Sequence, residues 1–210
     1  MKEAGAPKAA IRADLRRQRQ ALAPEWVAET SAAIARRVAG LPEFEAAETV
    51  LCYLALPEEV QTEGLIRAAW AAGKRVAVPA FRAEKKEYAA AWIEPGQRLV
   101  AGRWNVPEPA APDWVAGERL DAGVIPGVAF VAGGTRLGHG QGWFDRLLSR
   151  IGAGVSVKIG VGFDFQVVAS LPGEPHDVDM DIVVTEKAVY RPRPGRRNSG
   201  GFEPARERKT

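Results

Sequence analysis

The chain has 210 residues, 46% hydrophobic and 26% charged, which suits a soluble globular chain with a sizeable core and one α/β-sized domain. No run of about eighteen apolar residues occurs, so no membrane span is predicted, and "MKEAGAPKAAIRADLRRQ" lacks the apolar stretch of a secretory signal. The formal charge of +3 is a tail effect: residues 191–210 hold seven Lys/Arg and two Glu, a net +5 that leaves −2 for residues 1–190, so no nucleic-acid partner is expected for the folded part.

Residues 8–21 read as a helix, with Ile11, Leu15 and Leu22 on one stripe and Lys8, Arg12, Arg16 and Arg19 on a second, one residue around. Spacing alone makes that basic stripe a solvated face. "PEWVAETSAAIARRVAG" (24–40) is a second helix, opened by proline and closed by glycine. "TVLCYLAL" (49–56) has the continuous apolar character of a strand buried on both faces; its single thiol, Cys52, reads as a small buried hydrophobe and fits a reducing, cytoplasmic setting. A helix over 61–74 and a strand over 75–81 follow, giving a parallel βαβ unit. A strand over 88–94 precedes a long connection, 95–117, with four prolines. Strands over 122–132, 157–163 and 181–186 and a helix over 143–152 complete a three-layer α/β domain over 1–190. Residues 191–210, rich in Pro, Gly and Arg, are expected to be a disordered tail.

"GGTRLGHGQGWFDRLL" (133–148) joins a strand to a helix, which is where α/β sheets bind ligands. Gly138, Gly140 and Gly142 bare the main chain at a helix start, whose N–H groups suit phosphate. Arg136 adds a bidentate donor. The spacing is neither the P-loop nor the dinucleotide fingerprint. Asp145 would repel a bare phosphate, a conflict that a bound Mg2+ resolves; a plain glycine-rich turn is the alternative. "HDVDMD" (176–181) is on its own spacing a polar turn.

"RLGHGQGWFDR" closely resembles the R-L-G-x-G-x-G-Y-Y-D-R signature of the 5-formyltetrahydrofolate cyclo-ligase family. "KAAIR" (8–12), "EVQT" (59–62), "WNVPEP" (104–109), "PGVAF" (126–130) and "HDVDMDIVVTE" (176–186) are similar to further motifs of that family, in the same order. The resemblance implies a three-layer, open, mostly parallel sheet flanked by helices (NagB/RpiA/CoA-transferase-like). It implies ATP-dependent conversion of 5-formyltetrahydrofolate to 5,10-methenyltetrahydrofolate with Mg2+, in a cytoplasmic monomer whose partners are these small molecules. A non-catalytic or substrate-shifted folate- or nucleotide-binding relative is the alternative.

Carried over by position, Lys8, Arg12, Arg136, Leu137, Gly138, His139, Gly140, Gln141, Gly142, Trp143 and Phe144 would contact ATP, which lifts Lys8 and Arg12 out of the solvated face. Arg136, His139 and Gln141 would adjoin the reacting groups. Leu54, Glu59, His139, Gly140, Gln141, Gly142 and Trp143 would bind the folate, Trp104 would wall the pocket or else serve as a core or lid tryptophan, and Asp145 and Asp181 would hold magnesium. Trp143 and Phe144 stand where two tyrosines are usual, Gln61 where an acid is frequent, Val131 where an aspartate is frequent, and His139 at a variable position.

Overall fold

The computed structural model describes residues 8–115, 120–140, 142–151, 155–172 and 177–192. In chain order the elements are α1 (Lys8–Gln20), α2 (Pro24–Ala39), α3 (Pro42–Glu45), β1 (Thr49–Leu51), α4 (Glu63–Ala71), β2 (Arg75–Arg82), β3 (Glu87–Ile93), β4 (Leu99–Ala101), β5 (Pro107–Pro109), β6 (Asp113–Trp114), β7 (Leu120–Pro126), β8 (Ala129–Phe130), β9 (Arg136–Leu137), α5 (Trp143–Ile151), β10 (Val155–Val161), β11 (Ile182–Val184) and β12 (Val189–Tyr190).

Eight strands form one sheet in the order β12-β11-β10-β7-β1-β2-β3-β6. The five inner strands, β11 to β2, are parallel, whereas β12, β3 and β6 add antiparallel edges. The unit β1-α4-β2 is the parallel βαβ that the sequence predicts. From β1 the chain continues to β2 on one side, and from β7 to β10 on the other. The strand order therefore reverses between β1 and β7, and an open sheet leaves a crevice at such a point, beyond the carboxyl ends of its strands.

Two expectations need correction. The apolar run 49–56 is strand only to Leu51, because the chain leaves the sheet and spends the rest of the run on the crevice wall. The connection 95–117 is not irregular throughout: β4 and β5 pair as a small separate sheet, and β6 extends the main one beside β3. Proline density hid them, since short edge pairings tolerate proline where central strands do not. At the tail, Arg191 is still tied to the domain, its guanidinium donating to Glu43 Oε2 at 3.0 Å; the rest of the tail, 193–210, lies outside the described residues.

One packing detail places the glycine loop. The ring of Phe130 is fully buried, and a Cβ on Gly160 would sit 2.6 Å from its Cε1, with similar clashes from Gly127 and Gly162. Bare backbone on β10 and at the end of β7 thus makes the slot for this ring. Phe130 is the register partner of Arg136 in the β8–β9 hairpin, so seating the ring also fixes the root of the loop. Leu137 packs its side chain with Leu15, Val128, Val131 and Leu171, which docks the hairpin on α1.

Candidate functional site

The crevice holds a cavity of about 260 Å³. A second cavity under α2, walled by Ile34, Val38 and Leu65, holds about 10 Å³, room for no more than a water. The large cavity is lined by Tyr53, Leu54 and Leu56 after β1, by Glu59, by Pro79 and Tyr88 of β2 and β3, by Pro126 at the end of β7, and by Arg136, Gly138, His139, Gly142, Phe144 and Asp145 of the glycine segment. Arg16 of α1 and Val106 complete the wall. Loop and strand ends 80 residues apart in sequence therefore share one space.

The basic stripe of α1 is not a solvated face. Its first member, Lys8, reaches Asp177 at 3.1 Å. Arg12 donates from Nε to the Gly138 carbonyl at 2.8 Å. Arg16 lines the cavity, and Arg19, only 2% exposed at its side chain, stands 3.8 Å from Glu58 and 3.9 Å from Glu59. A register of i, i+4, i+8 and i+11 keeps all four on one side of the helix. Arg12 also explains Gly140: the backbone there has φ +101°, and a Cβ would lie 3.4 Å from the Arg12 guanidinium carbon. The loop turns in a conformation open to glycine and takes the arginine against its bare surface.

Arg136 and Asp145 bracket the glycines in sequence and meet in space, guanidinium NH2 to carboxylate Oδ1. The arginine side chain is 2% exposed and the aspartate 18%. Arg136 also donates to the Pro126 carbonyl at 3.4 Å, and its guanidinium carbon lies 5.8 Å from the centre of the Phe144 ring. Its Nε, buried, finds no acceptor among the described residues. A desolvated guanidinium beside a cavity makes strong charge-assisted hydrogen bonds. Asp145 lies in the first turn of α5, where the helix dipole favours its charge.

At the other end Glu59, largely buried, is held from three sides. Its Oε2 accepts from the Leu56 amide at 3.1 Å, Arg19 stands near Oε1, and His139 Nε2 lies 3.1 Å from the same oxygen. Gln61 explains its own departure from the family pattern: its amide nitrogen donates to the Leu56 and Glu59 carbonyls, each at 2.8 Å, and so ties the turn that presents Glu59. A carboxylate there has no proton to give. Val131 is buried with the cluster under the hairpin, which disfavours the frequent aspartate. Burial, reinforced by the Glu108 carboxylate, raises the Tyr88 phenol and keeps it protonated. Burial pushes the Cys52 thiol up to about 12, so it is no nucleophile at neutral pH.

Leu54, Glu59, Arg136, Gly138, His139, Gly142, Phe144 and Asp145 all line the one cavity, and Arg12 touches its loop. Leu137 does not face it. Asp181 is the clearest departure from expectation: it is exposed, is absent from the lining, and accepts from the Lys158 amide at 2.7 Å and its ammonium at 2.8 Å. It precedes β11, at the end of the parallel strands opposite the crevice, which is why it is not brought to Asp145. Among the described residues no cluster of three or more His, Cys, Asp or Glu suited to a metal occurs. Gln141 and His176 lie outside the described residues, as do the side chains of Trp104 and Trp143. Tyr53, Leu56, Arg16, Tyr88, Pro79, Pro126 and Val106 line the cavity without being among the expected site residues. Tyr53 alone had a local signal, two residues past a buried strand.

A reversal-point crevice with a bare loop, a buried guanidinium and a carboxylate on its wall belongs to the class of α/β proteins built to hold a phosphorylated ligand beside a second molecule. Residues 4–186 match the model of the 5-formyltetrahydrofolate cyclo-ligase family, and the chain belongs to that family. The 5-formyltetrahydrofolate cyclo-ligase of Escherichia coli K12 is 33% identical over 183 residues, covering 84% of this chain and 98% of the relative. The mouse enzyme of that name is 25% identical over 190 residues, covering 85% and 93%. The solved 5,10-methenyltetrahydrofolate synthetase of Aquifex aeolicus superposes with a TM-score of 0.78 at 32% identity, covering 92% of this chain and 96% of that one.

Proposed function

We propose that this chain, an enzyme of the 5-formyltetrahydrofolate cyclo-ligase family, uses ATP to convert 5-formyltetrahydrofolate to 5,10-methenyltetrahydrofolate. The formyl oxygen is a poor leaving group. Moving the γ-phosphoryl of ATP onto it releases ADP and turns that oxygen into part of a phosphate. Nitrogen 10 of the same substrate then attacks the formyl carbon, the phosphate departs with the oxygen, and nitrogen 10 loses its proton as the five-membered ring closes. Such a reaction asks the protein mainly for positioning and charge neutralisation.

Each residue has a matching task. The amides around Gly138, Gly140 and Gly142, with Arg12, Arg136 and Lys8, hold the phosphates. Glu59 accepts from the N–H edge of the pterin, Leu54 and Phe144 supply apolar walls, and His139 stands between the two ligands. Asp145 is the carboxylate that would hold a Mg2+, and such an ion would supply neutralisation of phosphate charge. Asp181, engaged by Lys158, has no part in it.

The observation that carries this reading is the single cavity joining the Arg136–Asp145 pair to Glu59. Mixing the protein with Mg-ATP and 5-formyltetrahydrofolate should raise the absorbance of the methenyl product in proportion to enzyme. Tight binding of both ligands with no such rise sinks the catalytic reading and leaves a binding protein.

A further inference from the structure

Apart from the phenols of Tyr53 and Tyr88, five charged or titratable side chains line the cavity: Arg16, Glu59, Arg136, His139 and Asp145. Four of them are in pairs, Glu59 with His139 and Arg136 with Asp145. Arg16 is left over. Among the described residues no carboxylate comes within ion-pair reach of it. Asp14, its neighbour on α1, is engaged by Arg17 and Gln18. The helix makes its position worse, because Arg12 and Arg19 flank it at i−4 and i+3, and like charges at those spacings repel. Arg12 is offset by the Gly138 carbonyl and Arg19 by Glu58 and Glu59, whereas none of the described residues offsets Arg16.

We infer that Arg16 is the receptor for an anionic group of the folate, the carboxylate of its glutamate tail, and so sets the enzyme's preference for glutamate-bearing folates. The inference rests on the folate reading of the Glu59 end. The phosphate end already holds Arg12, Arg136 and the loop amides. The folate end offers Glu59, an acceptor that suits the pterin edge and repels a carboxylate. A substrate with its pterin at Glu59 and its glutamate outward has Arg16 as the remaining cation of the wall. Arg16 is exposed although it lines the cavity, as a rim residue must be to meet a tail that leads into solvent. Along α1 it stands roughly 4.5 Å from Arg19 and roughly 6 Å from Arg12, one step from the folate end.

The test compares 5-formyltetrahydrofolate with 5-formyltetrahydropteroate, which lacks the glutamate, in the native chain and in Arg16→Ala. A charge-assisted contact at a half-open rim should give the native chain a KM about tenfold lower for the glutamate-bearing substrate. Arg16→Ala should shrink that gap to about twofold or less, and Arg16→Lys, which keeps the charge but not the fork, should leave part of it. A gap that survives in Arg16→Ala overturns the inference. So does a raised KM for ATP with the gap intact, which would put the guanidinium on a phosphate instead. Calorimetric binding of the same two folates reads the contact without turnover. A protein that forms no methenyl product, yet loses its preference for the glutamate-bearing ligand on substitution, would fail the proposed activity and keep the inference.

Discussion

At one end of the cavity, Arg136, Gly138, His139, Gly142, Phe144 and Asp145 come from one short segment, and bare backbone at Gly140 lets Arg12 come close. At the other end, the side chains of residues 53–61 are held partly by one another and partly by groups distant in sequence. Tyr53 donates to the Val60 carbonyl at 2.7 Å, Gln61 ties the turn, and Arg19 and His139 arrive from α1 and the glycine loop. The first end is specified by a local pattern and the second by tertiary structure. Their vulnerabilities should differ accordingly: under the proposed function, a single substitution in the loop end should remove chemistry, whereas one in the Glu59 end should remove affinity for one substrate.

Asp145→Ala should break the loop end most severely. Without its carboxylate the phosphate charge goes unneutralised, and turnover should fall at least about a hundredfold. The helix dipole alone would predict a loss of only about 0.3–1 kcal/mol in stability. The structure revises that upward, because Arg136 is left buried without its counter-charge, a loss of about 2–4 kcal/mol. Urea unfolding and the methenyl absorbance assay read the two effects separately. Asp145→Asn, which still offers Arg136 an acceptor, should recover much of the stability and little of the turnover. Near-normal turnover in either variant would refute the metal role.

Glu59→Gln tests whether the two ends separate. An amide still accepts a hydrogen bond but carries no charge for a donor-rich pterin edge. KM for the folate should rise about 10- to 100-fold, the range for a charged hydrogen bond, while KM for ATP stays near native. Equal losses in both would show that the ends act as one unit and that Glu59 supports the fold more than the folate.

The legibility of the two ends in the sequence follows the same division. The loop was readable because its requirements fall within sixteen consecutive residues: a strand, glycines at alternate positions, an arginine, an aspartate and a helix. The parallel inner strands are legible in apolar runs, though the run 49–56 outlasts the strand Thr49–Leu51, since apolar residues line a ligand wall as readily as a strand. Arg16 and Arg19 were hidden because their spacing is the same on a solvated helix as on one docked over a crevice. Tertiary contacts distinguish the two, among them Leu15 and Ile11 packing beneath the β8–β9 hairpin. Asp181 went the other way: its place in a family-like motif suggested a metal ligand, but strand direction carries it to the far end of the sheet.

His139 belongs to both ends, since it springs from the glycine loop and touches Glu59 at 3.1 Å. It therefore offers the finest test of how separate they are. The contact cannot be essential to phosphate binding, because the loop's amides and Arg12 do not depend on an imidazole. It does fix Glu59 Oε1, which otherwise has only Arg19 at the long distance of 3.9 Å. Loss of one such contact is worth about 0.5–1.5 kcal/mol, or about 2- to 12-fold. His139→Ala should thus raise KM for the folate several-fold with kcat and KM for ATP little changed, and His139→Gln, which restores a donor at similar reach, should recover part of it. If kcat falls instead, with the folate KM unmoved, the imidazole acts on the reacting groups themselves, and the boundary between the two ends runs through His139 rather than beside it.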